Sequence, residues 1–323
     1  MGQTTTSTRV TTSTSTTTPS TSTSTTSTTT TTTLPPVQVS GVLPDVAEAA
    51  ALGPIPDDLD LSNAAVSKPI LYDNGCHAGI GTVTPAPCEF GDLTSDTVIV
   101  VTGDSHAAQW FGALETAALE NHWKLVTLTK SSCPAADVKT TRREDGEVGD
   151  QIAYPECEQF RHNSWETIRA LHPDLVVYPM LTRYHQTDGS GIGGWKSGLG
   201  RSITAIAQPG TKVLIIGEIP KTLGDEVPPC VRSHRSDVSK CANSRSKAEF
   251  PEKVLAFMDV AIQHSALFVN PVDGTSTTEK CPVVIGGHIV YRDYNHMSDA
   301  FSRYRAPQMA EVVRQALAGP DAV

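Results

Sequence analysis

Three observations place this chain in the α/β class, as a three-layer α/β/α domain around a mostly parallel five-stranded sheet. Short runs rich in β-branched residues recur at 97–102 (TVIVVT), 124–129 (KLVTLT), 174–180 (DLVVYPM), 212–217 (KVLIIG) and 266–270 (ALFVN). They are apolar along most of their length rather than alternating, the pattern of strands buried on both faces. Between them lie longer segments with apolar residues at helical spacing. Parallel strands joined by crossover helices satisfy that alternation, and the general plan is flavodoxin-like.

The elements follow in order. Residues 2–33 are almost entirely Thr and Ser and end in Leu34-Pro35-Pro36. Such a stretch buries too little apolar surface to offset its ordering entropy, so 1–36 reads as a disordered tether. Residues 37–95 are rich in Pro, Gly and Asp and read as an extension that wraps the domain. The domain itself is expected over 96–323, an ordinary size for one core. Its first helix, near 106–121, sets Trp110, Leu114, Ala117 and Ala118 on one side, with Trp110 read as core. Further helices are expected near 157–172, 197–207, 251–264 and 299–318. The last places Tyr304, Met309, Val312, Val313 and Leu317 on one face. Residues 189–195 (GSGIGGW) read as a mobile loop lining an acyl pocket. They follow no strand and lack the acidic partner that a dinucleotide site needs. Residues 221–250 read as a long polar loop.

Composition excludes some functions. The chain carries 35 acidic and 25 basic residues, a net charge of −10, which argues against nucleic-acid binding. No run of 18 apolar residues exists, so no spanning segment is read here. Met1-Gly2 does not begin a signal peptide. The expectation is a fragment whose natural chain continues upstream into a membrane portion. Of seven cysteines, six form neighbouring couples, 76/88, 133/157 and 230/241. No CxxC spacing points to zinc, and local disulfides in an oxidising compartment fit better. Sequence leaves the pairing open, with Cys281 the candidate odd thiol.

The chemistry centres on two stretches. Gly103-Asp104-Ser105-His106 follows the first strand, where ligands of open parallel sheets bind. A serine there presents its hydroxyl at the positive end of a helix, which suits a nucleophile whose substrate becomes an oxyanion. The candidate base lies downstream in YRDYNHMSDAF, where Asp293 and His296 are three apart. A carboxylate beside an imidazole fixes its tautomer and stabilises the imidazolium. Activity is then expected to fall as His296 takes up a proton. Asp104 and His106 are expected to hold the serine turn by hydrogen bonds. His162, His172, His185, His264 and His288 have no ligand-like spacing and receive no role.

On these residues the chain resembles the SGNH (GDSL-like) hydrolases. GDSH after the first strand and DxxH before the last helix are similar to the family's first and last signature blocks. VTGDSHAAQW, KSSCPAA and YRDYNHMS resemble more specifically the extracytoplasmic SGNH domain fused to acyltransferase-3 membrane proteins of bacteria. The resemblance covers roughly residues 70–318. It implies Ser105 as nucleophile, His296 as general base, Asp293 as its orienting carboxylate, and the Ser105 N–H as an oxyanion donor. The family's third block should supply an Asn. Here YPMLTRYHQ offers Arg183-Tyr184 instead, the pair expected to bind the oxyanion or a carboxylate of the acyl group. Ser131 or Ser132 stands where the second block's glycine is expected.

No cofactor and no metal are expected. The resemblance implies a membrane acyltransferase-3 partner, an acyl donor and a carbohydrate acceptor. The function it implies is O-acylation, by acetyl or succinyl, of a cell-surface glycan or glycolipid. A serine esterase using the same residues, and an inactive glycan-binding module, are the alternatives.

Overall fold

The computed structural model describes residues 1–3, 50–57, 59, 67–144 and 150–319. The expected tether over 1–36 lies outside these residues except for its first three, as does most of 37–66. The chain divides into two compact units, Met1–Leu34 and Pro35–Val323, and the second is described here.

Seven strands form the main sheet: β1 (His77–Ala78), β2 (Cys88–Gly91), β3 (Val98–Gly103), β4 (Lys124–Lys130), β5 (Leu175–Pro179), β6 (Lys212–Ile216) and β7 (Leu267–Val269). Their order is β1-β4-β3-β5-β6-β7, all parallel, with β2 running antiparallel to β4. The five expected parallel strands are all present. The sheet is larger than expected because β1 and β2, in the stretch read as a wrapping extension, share the outer edge of β4. Both are too short to show a period in sequence, and the disulfide Cys76–Cys88 clips one to the other.

The helices that cover the sheet or border the site are α1 (Ser105–Ala108), α2 (Phe111–Glu120), α3 (Pro155–Leu171), α4 (Gly191–Ile206), α5 (Pro251–Gln263), α6 (Asp299–Tyr304) and α7 (Ala306–Ala318). Side chains of successive strand residues leave opposite faces of the sheet. Ile99, Val101, Leu175, Val177, Leu214 and Ile216 therefore pack on one face, against Phe111, Leu114 and Ala117 of α2 and Met309, Val312 and Val313 of α7. Val100, Val176, Tyr178, Val213 and Ile215 pack on the other, against Ile168 of α3, Leu199 and Ile203 of α4, and Phe257 of α5. Trp110 is buried in the first of these clusters. That two-sided burial is why the strands read as unbroken apolar runs.

Three expectations are corrected. The GSGIGGW segment is no mobile loop, because Gly191–Trp195 form the start of α4 and Trp195 is buried. Its glycines hid a helix that packing, not propensity, stabilises. Residues 221–250 are more than a polar loop. They hold two short helices, Val227–Ser233 and Arg245–Ala248, and Val227, Val231 and Val238 enter the core. Those apolar residues are scattered singly among polar ones, so no period shows. The helices near 106–121 and 299–318 are each two helices. The second breaks at Arg305, where Pro307 brings no N–H to continue the ladder.

The three cysteine couples are bonded as Cys76–Cys88, Cys133–Cys157 and Cys230–Cys241, and Cys281 is free and buried. No helix among the described residues is long and apolar enough to cross a membrane. Thiol titration without reductant should find one thiol per chain, and only after denaturation. Replacing Cys133 and Cys157 together by Ala opens a loop with sequence separation 24. It should cost about 3 kcal/mol in urea unfolding; no change in midpoint would show that this crosslink does not hold the β4-to-α3 region.

Candidate active site

The chain leaves β3 through α1 and α2 to β4 on one edge of β3, and then passes through α3 to β5 on the other edge. The crossovers diverge at the carboxyl end of β3 and leave a crevice there. Gly103 closes the strand with φ +141°, a conformation that L side chains rarely adopt. A Cβ on it would also lie 3.0 Å from that of Ala107. Asp104 then caps α1, accepting the N–H of His106 at 2.7 Å and of Ala107 at 3.3 Å. The Tyr184 hydroxyl donates to the other Asp104 oxygen at 2.8 Å. Burial pushes the Asp104 carboxyl up to about 6, against the opposing pull of those three hydrogen bonds.

Ser105 is the first residue of α1 and half-buried. Its Oγ lies 2.8 Å from Nε2 of His296. On the far side of that ring, Nδ1–H donates to Asp293 Oδ2 at 2.8 Å. The other Asp293 oxygen accepts the N–H groups of Asn295 and His296, each at 2.6 Å, which folds the DYNH segment into a tight turn. Burial alone would raise the Asp293 carboxyl. The hydrogen bond and charge of His296, with the two backbone N–H groups, outweigh burial and hold it down at about 2. A carboxylate on Nδ1 leaves Nε2 as the acceptor for the serine proton.

Two further residues fasten the histidine loop. The Gln109 side chain, buried after α1, accepts the N–H of Met297 at 2.8 Å and donates to Nδ1 of His106 at 3.3 Å. His106 lies beneath His296, with ring centroids 4.8 Å apart. Burial and the neighbouring His296 push the His106 imidazole far below its ordinary range, so it is neutral. Ser298 caps α6 by accepting the N–H of Phe301 at 3.1 Å, fixing the exit of the loop.

All the candidate residues gather at this crevice, but two do so differently from expectation. The Tyr184 hydroxyl turns to Asp104 under the serine, so Tyr184 braces the nucleophile turn. Arg183 lines the cleft while its Nε faces the buried Glu218 at 3.6 Å. Of the two serines near the second block, Ser132 lines the cleft, in a left-handed conformation with φ +54°. Neither its N–H nor that of Ser105 bonds to another group among the described residues. The sequence reading missed His185, Asn295, Gln151, Arg142 and Arg143, which also line a cleft of about 450 Å³. Asn295 sits inside the quoted DYNH segment, and the Arg142–Arg143 doublet was legible as charge; Gln151 and His185 carried no signal.

Among the described residues, Cys230, His234 and Cys241 form the one cluster with metal-ligand reach. Its two cysteines are joined as a disulfide, so they offer no thiolate to an ion.

The sequence of residues 75–311 matches the model of the SGNH domain fused to AT3 domains. The chain belongs to that family. A search of curated protein sequences finds no match. Among solved structures, this SGNH domain is similar to the periplasmic domain of a lipopolysaccharide acetyltransferase of Salmonella ser. Paratyphi A. The TM-score is 0.59 at 16% identity, over 80% of this chain and 98% of that one. It also matches a carbohydrate esterase family 2 enzyme of Corynascus thermopiles, with its carbohydrate-binding domain. There the TM-score is 0.41 at 14% identity, over 69% of this chain and 66% of that one. At such identities the first likeness shows a shared fold.

One consequence of the raised Asp104 carboxyl is a stability change with pH. The folded form holds its proton up to about pH 6, while an unfolded Asp loses it near 3.8. Folding therefore takes up a proton between these values, and Asp104 destabilises the fold progressively as pH rises through them. Asp104→Asn keeps the cap but cannot ionise. The difference in Tm, wild type minus variant, should fall as pH rises from about 4 to about 6 and then level off. A difference that is constant with pH would show that Asp104 ionises as freely in the folded chain as in the unfolded one.

Proposed function

We propose that this SGNH domain is a serine O-acyltransferase. It moves an acyl group through an acyl-serine on Ser105 to a hydroxyl of a cell-surface glycan or glycolipid. It works outside the cytoplasm with an AT3 membrane domain, with residues 1–36 as the tether and 96–323, preceded by the 37–95 extension, as the catalytic domain. The observation that carries the reading is the unbroken line from Ser105 Oγ to His296 Nε2 and from His296 Nδ1 to Asp293, 2.8 Å at each step. Three disulfides fit an oxidising compartment. The family's fusion to AT3 domains supports the membrane partner. The similar Salmonella domain, described as that of an acetyltransferase and periplasmic, supports the reaction and the location.

In this reading, Ser105 Oγ attacks the acyl carbonyl as its proton passes to Nε2 of His296. The ionised Asp293 stabilises the imidazolium. The oxyanion meets the N–H groups of Ser105 and Ser132. Each such donor lowers the barrier by about 3 kcal/mol. Collapse expels the donor's alcohol or thiol, which takes the proton from His296. The glycan hydroxyl then enters, His296 removes its proton, and as the acyl group passes to the sugar oxygen His296 returns that proton to Ser105 Oγ. Asp104, His106, Gln109 and Tyr184 hold the serine and histidine in register.

The second reading is an esterase, favoured by the half-exposed position of Ser105, which lets water reach an acyl-serine. The two differ only in the second nucleophile.

Intact-protein mass after treatment with a fluorophosphonate tests the shared step. Wild type should gain one adduct and Ser105→Ala none. His296→Ala and Asp293→Asn should label on the order of 10³-fold more slowly or worse. Absence of any adduct on wild type would sink both enzyme readings in favour of a glycan-binding module. With acyl donor and glycan together, acylated glycan marks the transferase, and free acid alone marks the esterase.

A further inference from the structure

The chain is acidic, with 35 carboxylate residues against 25 basic ones, yet the cleft in front of Ser105 has the opposite character. Arg142, Arg143 and Arg183 line it, and none of its described lining residues is Asp or Glu. Among the described residues, Asp104, Asp293 and Glu218 are turned elsewhere. Asp104 lies under the serine, bonded to Tyr184 and backbone N–H groups. Asp293 lies behind His296. Glu218 is buried, accepts from Thr182 N–H at 2.9 Å and pairs with Lys253 at 3.0 Å.

The two arginines that carry the argument are incompletely used. Arg142 projects from a short hairpin, Thr141–Arg143 against Gln151–Ala153. One amino group, Nη1, donates to the carbonyls of Arg143 and Glu144, and the guanidinium lies 5.8 Å from the Tyr154 ring centroid. Its Nε is buried without a partner, and it has no carboxylate partner among the described residues. Arg183 has only the 3.6 Å approach of its Nε to Glu218, a carboxylate that Lys253 already neutralises. Its two terminal amino groups bond to nothing among the described residues. Arg142 and Arg183 thus keep N–H donors that no described group takes up, and a neutral acetyl group gives them no charge to pair with. The planar guanidinium fork matches a carboxylate or a phosphate.

We propose that the cleft selects a substrate carrying an anionic group, a carboxylate or phosphate, which Arg142 and Arg183 hold beside the acyl carbon that Ser105 attacks. This rests on the acyl-serine reading. The anion has two possible homes: the acyl chain itself, as in a dicarboxylic monoester, or the carrier that delivers it.

Thiol release from matched thioesters distinguishes the two. On the uncharged carrier N-acetylcysteamine, succinyl is compared with its monomethyl ester, which is neutral and similar in shape. Acetyl-N-acetylcysteamine is compared with acetyl-coenzyme A, which carries phosphates. Fluorophosphonate labelling of Ser105 is followed in the same preparations. The expected result is a kcat/KM preference of about tenfold or more for the anionic member of one pair. The preference should collapse toward parity in Arg142→Gln and Arg183→Gln and be intermediate in Arg142→Lys, which keeps charge without the fork. A preference in the first pair puts the anion on the acyl chain, and in the second on the carrier. Parity in both pairs with Ser105 still labelled overturns the proposal and leaves the acyl-serine reading intact.

If no thioester turns over and Ser105 does not label, the acyl-serine reading has failed and binding decides. Calorimetry on Ser105→Ala should then show saturable uptake of monomethyl succinate or monomethyl phosphate, weakened by Arg142→Gln. No uptake overturns the proposal.

Discussion

The turn from Gly103 to Ser105 can form only where β3 meets its two neighbours, because the crossovers to β4 and β5 leave its carboxyl end uncovered. Everything else at the site is referred to that turn. A residue with a Cβ at 103 would meet both an unfavourable φ and the Ala107 side chain. The helix that follows is only four residues long, so its register rests on the cap rather than on propagation. Asp104 supplies the cap, and Tyr184, arriving from beyond β5, holds Asp104. The serine hydroxyl is thus aimed by contacts that begin on two different strands.

The partner of that hydroxyl comes from 191 residues away in sequence, and no regular element delivers it. His296 sits on a loop, and loops are the elements least able to hold an atom to a few tenths of an ångström. This one is fixed at several points. Asp293 folds it on itself, Ser298 closes its exit, and the Tyr291 hydroxyl donates to the Pro220 carbonyl at 2.9 Å. Gln109 ties it to the helix that follows the serine. Because Gln109 also binds His106, the ring beneath His296 and the backbone beyond it move together. Precision at the serine comes from this shared anchoring.

Fold and site were legible in the sequence to different depths, for physical reasons. Five strands buried on both faces announce themselves as apolar runs. β1 and β2 do not, because two and four residues are too few for any period. The helix from Gly191 was hidden by glycines whose cost the burial of Trp195 and Leu199 offsets. Ser105, Asp293 and His296 could be picked out because their spacing and their places at a strand end and before the last helix follow from local rules. Tyr184 was named but given the wrong contact, since which way a loop tyrosine turns depends on Asp104, 80 residues earlier. Arg142 and Gln151 lie on a hairpin whose place over the cleft is purely tertiary, so no local signal connects them to Ser105.

Two carboxylates at this site show how environment assigns different tasks to one functional group. Asp104 and Asp293 each accept two backbone N–H groups and one side-chain donor. Yet one is raised to about 6 and the other lowered to about 2. The difference lies in burial and in the side-chain donor. Asp104 is sealed under the serine and meets a neutral phenol, which removes solvation without returning a charge. Asp293 is 27% exposed and meets an imidazole that becomes positive when the serine proton arrives. A carboxylate that stays ionised through the whole working range suits a partner to a transient imidazolium. Asp104 spends its oxygens on the serine turn instead, holding two N–H groups of α1 and the Tyr184 hydroxyl. Had the two environments been exchanged, the imidazolium would face a carboxylate that burial pushes toward protonation, and its stabiliser would weaken as pH falls toward about 6.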